Sequence, residues 1–422
     1  MIDNNPKFDF PKNFLWGAST SAHQVEGGNH NQWTVWELEN AQARSVKAEY
    51  KMGHHDNWDR IKDAAQDPGN YVSGKLADHY HHYKEDFGLL QKMNMNAYRF
   101  GIEWSRVEPN EGEWDESELE HYEQYVDYLI RWGIEPIITL FHFTLPCWFA
   151  DRGGFEHRGN VKYFVRYAKK IAERFHGKVR LVITINEPEV YAFESYYNGN
   201  WPPSEKSFLK MLFVMGNLAY AHKLSFREFK IIDKKYQILI AKHSVFFKPL
   251  NKKFASVLVA RLSQFAQDDF FIGKVKRHCD FIGVNYYMSE EVDGINMSHS
   301  GSDKVNDLGW NLTPDDICPA LERIYKKHKL PIIITENGLA DAGDEHRKWW
   351  IMQTIVGMQK AIKNGVNIRG YLHWSLMDNF EWAYGKWPRF GLAAVNYKTG
   401  ERKLRPSAVW FGGVIKKLRG IQ

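Results

Sequence analysis

The sequence predicts an α/β protein made of a single (β/α)8 barrel with insertions in its rim loops. Eight short apolar runs recur along the chain, segments with helical periodicity lie between them, and polar residues follow the runs. Strands that alternate with helices form parallel sheets with right-handed crossovers, and eight such units in one domain form a closed barrel. We therefore expect residues 1–422 to form one domain, which is a length that a barrel with insertions can occupy.

The apolar runs and the helical segments give the order of the elements. The predicted strands are residues 14–18, 97–102, 136–141, 181–185, 238–241, 281–284, 331–334 and 368–374. The clearest predicted helices are residues 122–130, 163–175, 209–232, 319–328 and 349–362. An open doubly wound sheet is the structural alternative, but no glycine-rich phosphate turn follows the first run. Residues 29–75 are polar and rich in Trp, His and Asp, so we expect a rim loop there.

Composition and charge exclude several classes of function. The formal charge is only +5, and the basic residues are scattered among acidic ones, so no nucleic-acid-binding face is indicated. The apolar runs are too short to span a bilayer, and residues 1–6 lack the basic and apolar regions of a secretory signal. Three widely spaced cysteines, Cys147, Cys279 and Cys318, do not indicate a disulfide framework, so we expect a cytoplasmic protein.

Two further groups of residues invite chemical interpretations. A metal site is suggested by His54, His55, His79, His81 and His82, but the spacing of the last three does not place them on one face of a helix. We therefore expect ordinary surface or packing histidines and no metal. Cys147 lies beside a predicted site loop, yet the sequence offers no paired base, so we expect a thiol that is not a nucleophile.

Two short motifs carry the strongest chemical signal. Residues 184–188 read Thr-Ile-Asn-Glu-Pro, and residues 334–338 read Ile-Thr-Glu-Asn-Gly. Each places a glutamate, Glu187 or Glu336, at the C-terminal tip of a buried strand, where barrels carry their active sites. Two carboxyls ~5–5.5 Å apart would support hydrolysis of a glycosidic bond with retention. The alternative is that both acids only satisfy helix N-termini, although a buried acid pair beside an arginine is costly without a function.

Other polar and aromatic residues are predicted at the same rim. They are Gln24, Arg99, His142, Asn186, Asn285, Tyr287, Trp374, Glu381 and Trp382. We expect Arg99 to stabilise ionised Glu336 and to lower its pKa, with Asn285 and Tyr287 donating to the same carboxylate. That negative charge should raise the pKa of Glu187 and keep it protonated as an acid.

Sugar recognition requires an apolar platform and polar side chains around it. Trp374 offers a face for a pyranose ring, and Asn186 is suited to hold the 2-hydroxyl. Gln24, His142, Glu381 and the indole N–H of Trp382 can bind the remaining hydroxyls. For Gln24, His142, Trp374 and Trp382 the alternative role is packing at the rim.

Several segments together resemble glycoside hydrolase family 1, which contains β-glucosidases and β-galactosidases. The segments are residues 10–27, 98–106, 374–382 and 389–392, combined with the two carboxylate motifs in this order. The resemblance runs nearly end to end and implies that Glu187 is the acid/base and Glu336 the nucleophile. It implies a retaining exo-β-glycosidase acting on glucosides, galactosides or fucosides, with a covalent glycosyl-enzyme, transglycosylation as a side reaction and no cofactor.

The resemblance also bears on the choice of substrate. The 6-phospho-glycosidase branch of the family replaces the acid that stands here as Glu381, so a neutral, unphosphorylated sugar is favoured. Residues 254–276 form a shorter connection between the fifth and sixth strands than the family pattern has, so we expect a more open crevice. Trp310 is a candidate aglycone contact by resemblance, with packing as its alternative role.

Two functions from other classes stay open at this point. One is a non-catalytic barrel that binds sugars, which the loss of either carboxylate would have supported. The other is a barrel glycosidase with an additional, unrelated ligand site opened by the shortened connection. The sequence leaves a homo-oligomer open as well.

Overall fold

A computed structural model describes residues 8–55, 57–298 and 304–421. Its strands are β1 (Leu15–Ser19), β2 (Ala97–Gly101), β3 (Glu135–Phe141), β4 (Leu181–Asn186), β5 (Gln237–Pro249), β6 (Phe281–Asp293), β7 (Asn296–Ser298), β8 (Ile332–Glu336), β9 (Ile368–Trp374), β10 (Ala393–Val395) and β11 (Arg402–Leu404). All eight predicted strands are present, with starts that differ by at most one residue. The expectation about a secretory signal concerns residues 1–6, which lie outside the described residues.

Eight parallel strands close into a barrel, which confirms the predicted fold class. The strand order is β5-β4-β3-β2-β1-β9-β8-β6-β7, and the pairing of β5 with β6 closes the ring. The open-sheet alternative is therefore wrong. The barrel strands are β-branched and buried on both faces, as β4 and β8 illustrate, because helices cover the outside and packed side chains fill the inside.

Helices connect the strands and surround the barrel. They are α1 (Ala22–Val25), α2 (Gln32–Val46), α3 (Ala48–Met52), α4 (Trp58–Ala65), α5 (His79–Lys92), α6 (Trp104–Val107), α7 (Glu116–Arg131), α8 (Cys147–Asp151), α9 (Val161–Arg174), α10 (Pro188–Tyr196), α11 (Phe208–Ile232), α12 (Phe254–Gln264), α13 (Phe270–Val275), α14 (Ile317–His328), α15 (Arg347–Lys363) and α16 (Pro406–Leu418). All five helices that the sequence predicts are present. In the part of the chain that the structure describes, none is long and apolar enough to cross a bilayer.

The segment 29–75 corrects one expectation, because it is largely helical rather than a loop. It contains α2, α3 and α4. Asn31 begins α2 with a capping box, in which its side chain accepts from the Thr34 N–H and the Thr34 hydroxyl accepts from the Asn31 N–H. Trp33 and Trp36 are buried on the inner side of this helix. The segment did not look helical in the sequence because it is polar overall, and its few buried residues, such as Trp33 in α2 and Ile61 in α4, pack against residues distant in the sequence.

Strands β5 and β6 continue beyond the barrel as a parallel ribbon. They stay paired from Leu239 opposite Phe281 as far as Pro249 opposite Val292, and β7 adds an antiparallel strand. The predicted strands covered only the barrel halves of both elements. The shortened connection between them consists of α12, a π-helix (Phe265–Asp269) and α13.

His79, His81 and His82 each lie beside a carboxylate, and the cysteines form no disulfide among the described residues. His79 pairs with Asp86 at 2.8 Å, and His81 pairs with Asp78 at 2.6 Å. His82 lies 3.4 Å from a carboxylate oxygen of Glu85. The three cysteines are free thiols, and burial raises the pKa of Cys147, which is opposite to the shift that an activated nucleophile requires.

Candidate active site

A cavity of about 890 Å³ opens at the C-terminal ends of the barrel strands. Eight of the residues predicted for the site line it. They are His142, Glu187, Tyr287, Trp310, Glu336, Trp374, Glu381 and Trp382. The other predicted residues, Gln24, Arg99, Asn186 and Asn285, are buried outside this lining.

The carboxylate of Glu336 is held by two donors. Arg99 donates from Nη1 to Oε1 at 2.6 Å, and the Tyr287 hydroxyl donates to Oε2 at 2.7 Å. Both contacts were predicted. A side-chain carbon at Gly338 would lie 1.8 Å from the Trp374 carbonyl oxygen. Only glycine therefore allows the chain that leaves β8 to pass β9, and this explains the third residue of the Glu-Asn-Gly motif.

Glu187 occupies a strained backbone position between β4 and α10. Its φ is +40°, in the left-handed region that is uncommon for residues other than glycine. The N–H of Glu187 donates to the Ala241 carbonyl at 2.8 Å, and Pro188 occupies the first turn of α10. The turn from strand to helix at this point directs the Glu187 side chain into the cavity.

The amides of Asn186 and Asn285 link the two carboxyl groups. Arg99 Nη2 donates to Asn186 Oδ1 at 2.7 Å, and Asn285 Nδ2 donates to the same oxygen at 3.2 Å. Asn285 Nδ2 also donates to Glu187 Oε1 at 2.7 Å, not to Glu336 as the sequence analysis expected. The register of the β6–β8 pairing places Asn285 opposite Glu336, which is why that contact was expected. The Asn285 amide is instead turned toward β4.

The burial and charges around the two carboxyls reverse the predicted distribution of protons. Burial raises the pKa of Glu336 to about 7, and the charge of Glu187 adds to the rise against the opposing effect of Arg99. Burial acts to raise the pKa of Glu187, but the opposing effects of His243 and the Asn285 amide are larger, so the pKa is lowered overall. The opposite shifts were expected from the sequence, in which the contact of His243 with Glu187 is not visible.

Aromatic rings surround the entrance to the carboxyl pair. The His142 ring stacks on Trp374 with centroids 5.7 Å apart and on Trp382 at 6.0 Å. Burial lowers the pKa of His142 well below its usual value, so the ring is neutral. Its Nε2 accepts from the Asn186 amide at 3.1 Å.

Two of the predicted sugar-binding residues have partners within the protein. Gln24 donates to the Phe380 carbonyl at 2.6 Å and accepts from the Ser21 hydroxyl at 2.8 Å. Its contact with a sugar hydroxyl stays a prediction. Glu381 accepts from the Asn379 amide at 3.2 Å, and burial raises its pKa to about 8.

Sequence reasoning missed two residues that shape the site. His243 lines the cavity, with Nδ1 3.5 Å from Glu187 Oε1. Asn337 is fully buried and accepts from the indole N–H of Trp350 at 2.9 Å while it donates to the Tyr286 carbonyl at 2.6 Å. Both were detectable, because His243 lies at the end of the fifth predicted strand and Asn337 lies inside a motif.

The outer wall of the cavity is basic. Arg44, Lys47 and Lys51 line one side from α2 and α3, and Lys206 lines another. None of the three lysines forms an ion pair with the residues that the structure describes. Burial and the charges of Arg44 and Lys47 lower the pKa of Lys51. Glu194 is the carboxylate in this outer part of the lining.

The barrel is closed, and two interacting carboxyls at its strand ends line a cavity with aromatic walls. These features define the class of barrel glycosidases. The sequence profile described as Glycosyl hydrolase family 1 matches residues 7–275 and 259–419. The chain belongs to glycosyl hydrolase family 1 and is a retaining β-glycosidase of the β-glucosidase type.

Relatives of known name and structure are similar over nearly their whole length. The chain is 31% identical to β-glucosidase A of Acetivibrio thermocellus, with 97% of this chain and 99% of the relative covered. The β-glycosidase from Pyrococcus horikoshii superimposes with a TM-score of 0.85 at 32% identity, covering 98% and 99%. A β-glucosidase from Thermotoga maritima, solved with glucoimidazole, gives a TM-score of 0.83 at 27% identity, covering 97% and 99%.

Proposed function

We propose that the protein removes glucose, galactose or fucose from β-linked glycosides, with Glu336 as nucleophile and Glu187 as acid/base. One observation carries these assignments. The carboxylate of Glu336 accepts hydrogen bonds from Arg99 and Tyr287. It shares a cavity with the carboxyl of Glu187, which lies beside a different set of donors. Two carboxyls in different environments can take different roles in one reaction.

The reaction then proceeds in two displacements. Glu336 attacks the anomeric carbon while Glu187 gives its proton to the glycosidic oxygen, so the aglycone leaves as an alcohol and a glycosyl ester forms. Glu187, now ionised, removes a proton from water as the water oxygen attacks the same carbon and Glu336 departs as a carboxylate. A sugar or alcohol that replaces this water gives transglycosylation, and no step requires a metal or a cofactor.

The remaining side chains bind the sugar and its leaving group. Trp374 supplies the platform beneath the ring, and Asn186, fixed by Arg99, holds the 2-hydroxyl. We assign the other hydroxyls to Gln24, His142, Glu381 and Trp382, and the aglycone to Trp310. The position of Trp310 on the cavity wall, with its ring 6.1 Å from that of Tyr287, supports this last assignment.

We also propose that residues 1–422 form one catalytic domain in the cytoplasm. The pairing of β1 with β9 supports a single domain, because the first and last barrel strands complete each other. Three free thiols support a reducing compartment. Exposed apolar residues on α12, among them Phe254 and Leu262, support a homo-oligomer, which light scattering would detect.

Hydrolysis of a panel of aryl β-glycosides tests the proposed function. The panel holds a glucoside, a galactoside, a fucoside, a mannoside and a 6-phosphoglucoside, each offered to wild type and to Glu336→Ala. We expect turnover of unphosphorylated sugars by wild type, its loss in the variant, and rescue by azide to a glycosyl azide of inverted configuration. Undiminished activity of Glu336→Ala would refute the assignment of the nucleophile. Turnover of the 6-phosphoglucoside alone would refute the assignment of the sugar.

A further inference from the structure

Glu187 contacts an imidazole that the two displacements above do not use. His243 Nδ1 lies 3.5 Å from Glu187 Oε1, the oxygen that also accepts from Asn285. His243 lies in the extended part of β5 and lines the same cavity as the two carboxyls. An imidazole at this distance from an acid/base affects the protonation of that acid in every step of the reaction.

A second buried ion pair fixes the backbone around His243. The N–H of His243 donates to Glu189 Oε1 at 3.0 Å. Lys242, which is fully buried, donates to the same Glu189 oxygen at 2.5 Å and to the His243 carbonyl at 2.7 Å. Glu189 lies in the first turn of α10, so the helix that follows Glu187 also holds the strand that carries the imidazole.

The shortened connection between β5 and β6 supports the same segment from outside. Gln267, in the π-helix, donates to the His243 carbonyl at 3.1 Å. Gln264, at the end of α12, donates to the Val245 carbonyl at 2.8 Å. π-Helical turns are rare and often occur at functional sites. No residue between 254 and 276 lines the cavity, so this connection contributes to the site through its support of β5.

The charges around His243 favour its cationic form. The titratable and charged groups that face it or its neighbours are Glu187, Glu189, Lys242, Tyr287 and Asp268. Burial and Lys242 act to lower the pKa of His243, but Glu187 and Glu189 raise it, and the net direction is up. Tyr287 is neutral, since burial and the nearby carboxylates raise its pKa well above its usual value.

We propose that His243 is a positioning residue for Glu187: its cationic ring favours the ionised form of the Glu187 carboxyl and so biases it toward the general-base step. This inference rests on the proposed role of Glu187 as acid/base. In the glycosyl-enzyme, Glu336 is an ester and carries no charge, so His243 is the charged group in contact with Glu187. Glu187 therefore deprotonates water at lower pH than it otherwise would, while it holds its proton less tightly in the first step.

The proposal is tested by the pH profiles of kcat/KM and kcat for His243→Asn on two substrates. A phenyl β-glucoside needs acid assistance to its leaving group, whereas a 2,4-dinitrophenyl β-glucoside does not and is limited by the base step. Loss of the cation raises the pKa of Glu187. In the free enzyme Glu336 has the higher pKa of the pair, so we expect the maximum of kcat/KM for the phenyl glucoside to rise several-fold as more of the enzyme carries its proton on Glu187. In the glycosyl-enzyme Glu187 titrates without that carboxylate, so the acid limb of kcat for the dinitrophenyl glucoside should move up by about one pH unit.

A matched control and a direct titration complete the test. His176→Asn removes an exposed histidine outside the cavity lining, so its kcat/KM maximum and its acid limb should match those of wild type. The ring resonances of His243, assigned by their loss in His243→Asn or His243→Gln, should titrate about one unit lower in Glu187→Gln. An acid limb and a kcat/KM maximum of His243→Asn that coincide with those of wild type, or a His243 pKa that is unchanged in Glu187→Gln, would overturn the proposal. Absence of wild-type turnover would instead refute the proposed function.

Discussion

Arg99 binds two residues of the site at once: Nη1 donates to Glu336 Oε1 at 2.6 Å, and Nη2 donates to Asn186 Oδ1 at 2.7 Å. The guanidinium is fully buried, and its Nε donates to the Thr139 hydroxyl at 3.0 Å. A planar fork with fixed donors can therefore orient the nucleophile and the 2-hydroxyl contact as one rigid unit.

Arg99→Lys should keep the buried charge but lose the fork. We expect kcat/KM for aryl β-glucosides to fall about 100-fold, because one ammonium cannot orient Glu336 and Asn186 together. The loss should be equal for good and poor leaving groups, since attack by Glu336 is common to both. Arg180→Lys, at an exposed ion pair with Glu135, is the control. Wild-type kinetics in Arg99→Lys would show that charge alone suffices.

The left-handed backbone at Glu187 should make the folded protein less stable than it would be with glycine at this position. Glu187→Gly and Glu187→Ala both remove the carboxyl and its contacts, so they differ in backbone preference. We expect Glu187→Gly to be more stable than Glu187→Ala by about 1 kcal/mol in denaturant unfolding, because alanine at φ +40° keeps the strain.

The same pair of substitutions in an ordinary helix supplies the control. Glu120 is exposed in the middle of α7, where glycine costs about 1 kcal/mol relative to alanine. The order of stability should therefore reverse between the two positions. An identical order at positions 120 and 187 would mean that the backbone of Glu187 stores no strain.

Much of the fold and part of the site could be predicted because they follow from local patterns. Buried β-branched runs define the strands, and Glu187 and Glu336 stand at their ends in short motifs. The helices α2 to α4 were missed because their buried residues, Trp33 and Trp36 in α2 and Met52 and Ile61 in α3 and α4, pack against residues distant in the sequence. The proton distribution was predicted wrongly because the contact between His243 and Glu187 joins two strands, and no local pattern indicates which residues lie side by side across a barrel rim.

Glu381 should make the stability of the protein fall as pH rises. Its pKa is about 8 in the folded site against an ordinary value of 4.5, since burial disfavours its charge. Between these values the folded protein holds a proton that the unfolded chain has released, so unfolding becomes easier as pH increases. Glu381→Gln removes the effect.

Denaturant unfolding of wild type and Glu381→Gln at two pH values measures this linkage. We expect similar free energies of unfolding at pH 5, and an advantage for Glu381→Gln of about 2 kcal/mol or more at pH 8. Glu401→Gln, at an exposed turn, should show the same difference from wild type at both values. A pH-independent difference for Glu381→Gln would mean that Glu381 ionises freely in the fold.

The basic outer wall of the cavity should select for the charge of the leaving group. Lys47, Lys51 and Lys206 line the outer wall of the cavity, where we place the aglycone, while Glu187 and Glu336 are buried in it. We expect a 4-carboxyphenyl β-glucoside to have a KM several-fold below that of the neutral 4-carbamoylphenyl analogue at low salt. The difference should disappear at about 0.5 M NaCl, where charges at the mouth are screened. Lys51→Glu should abolish the preference and leave turnover of the neutral analogue unchanged, because no hydrogen bond or ion pair among the described residues joins Lys51 to Glu187 or Glu336. Equal KM values for both substrates in wild type at low salt would show that solvent already screens the wall.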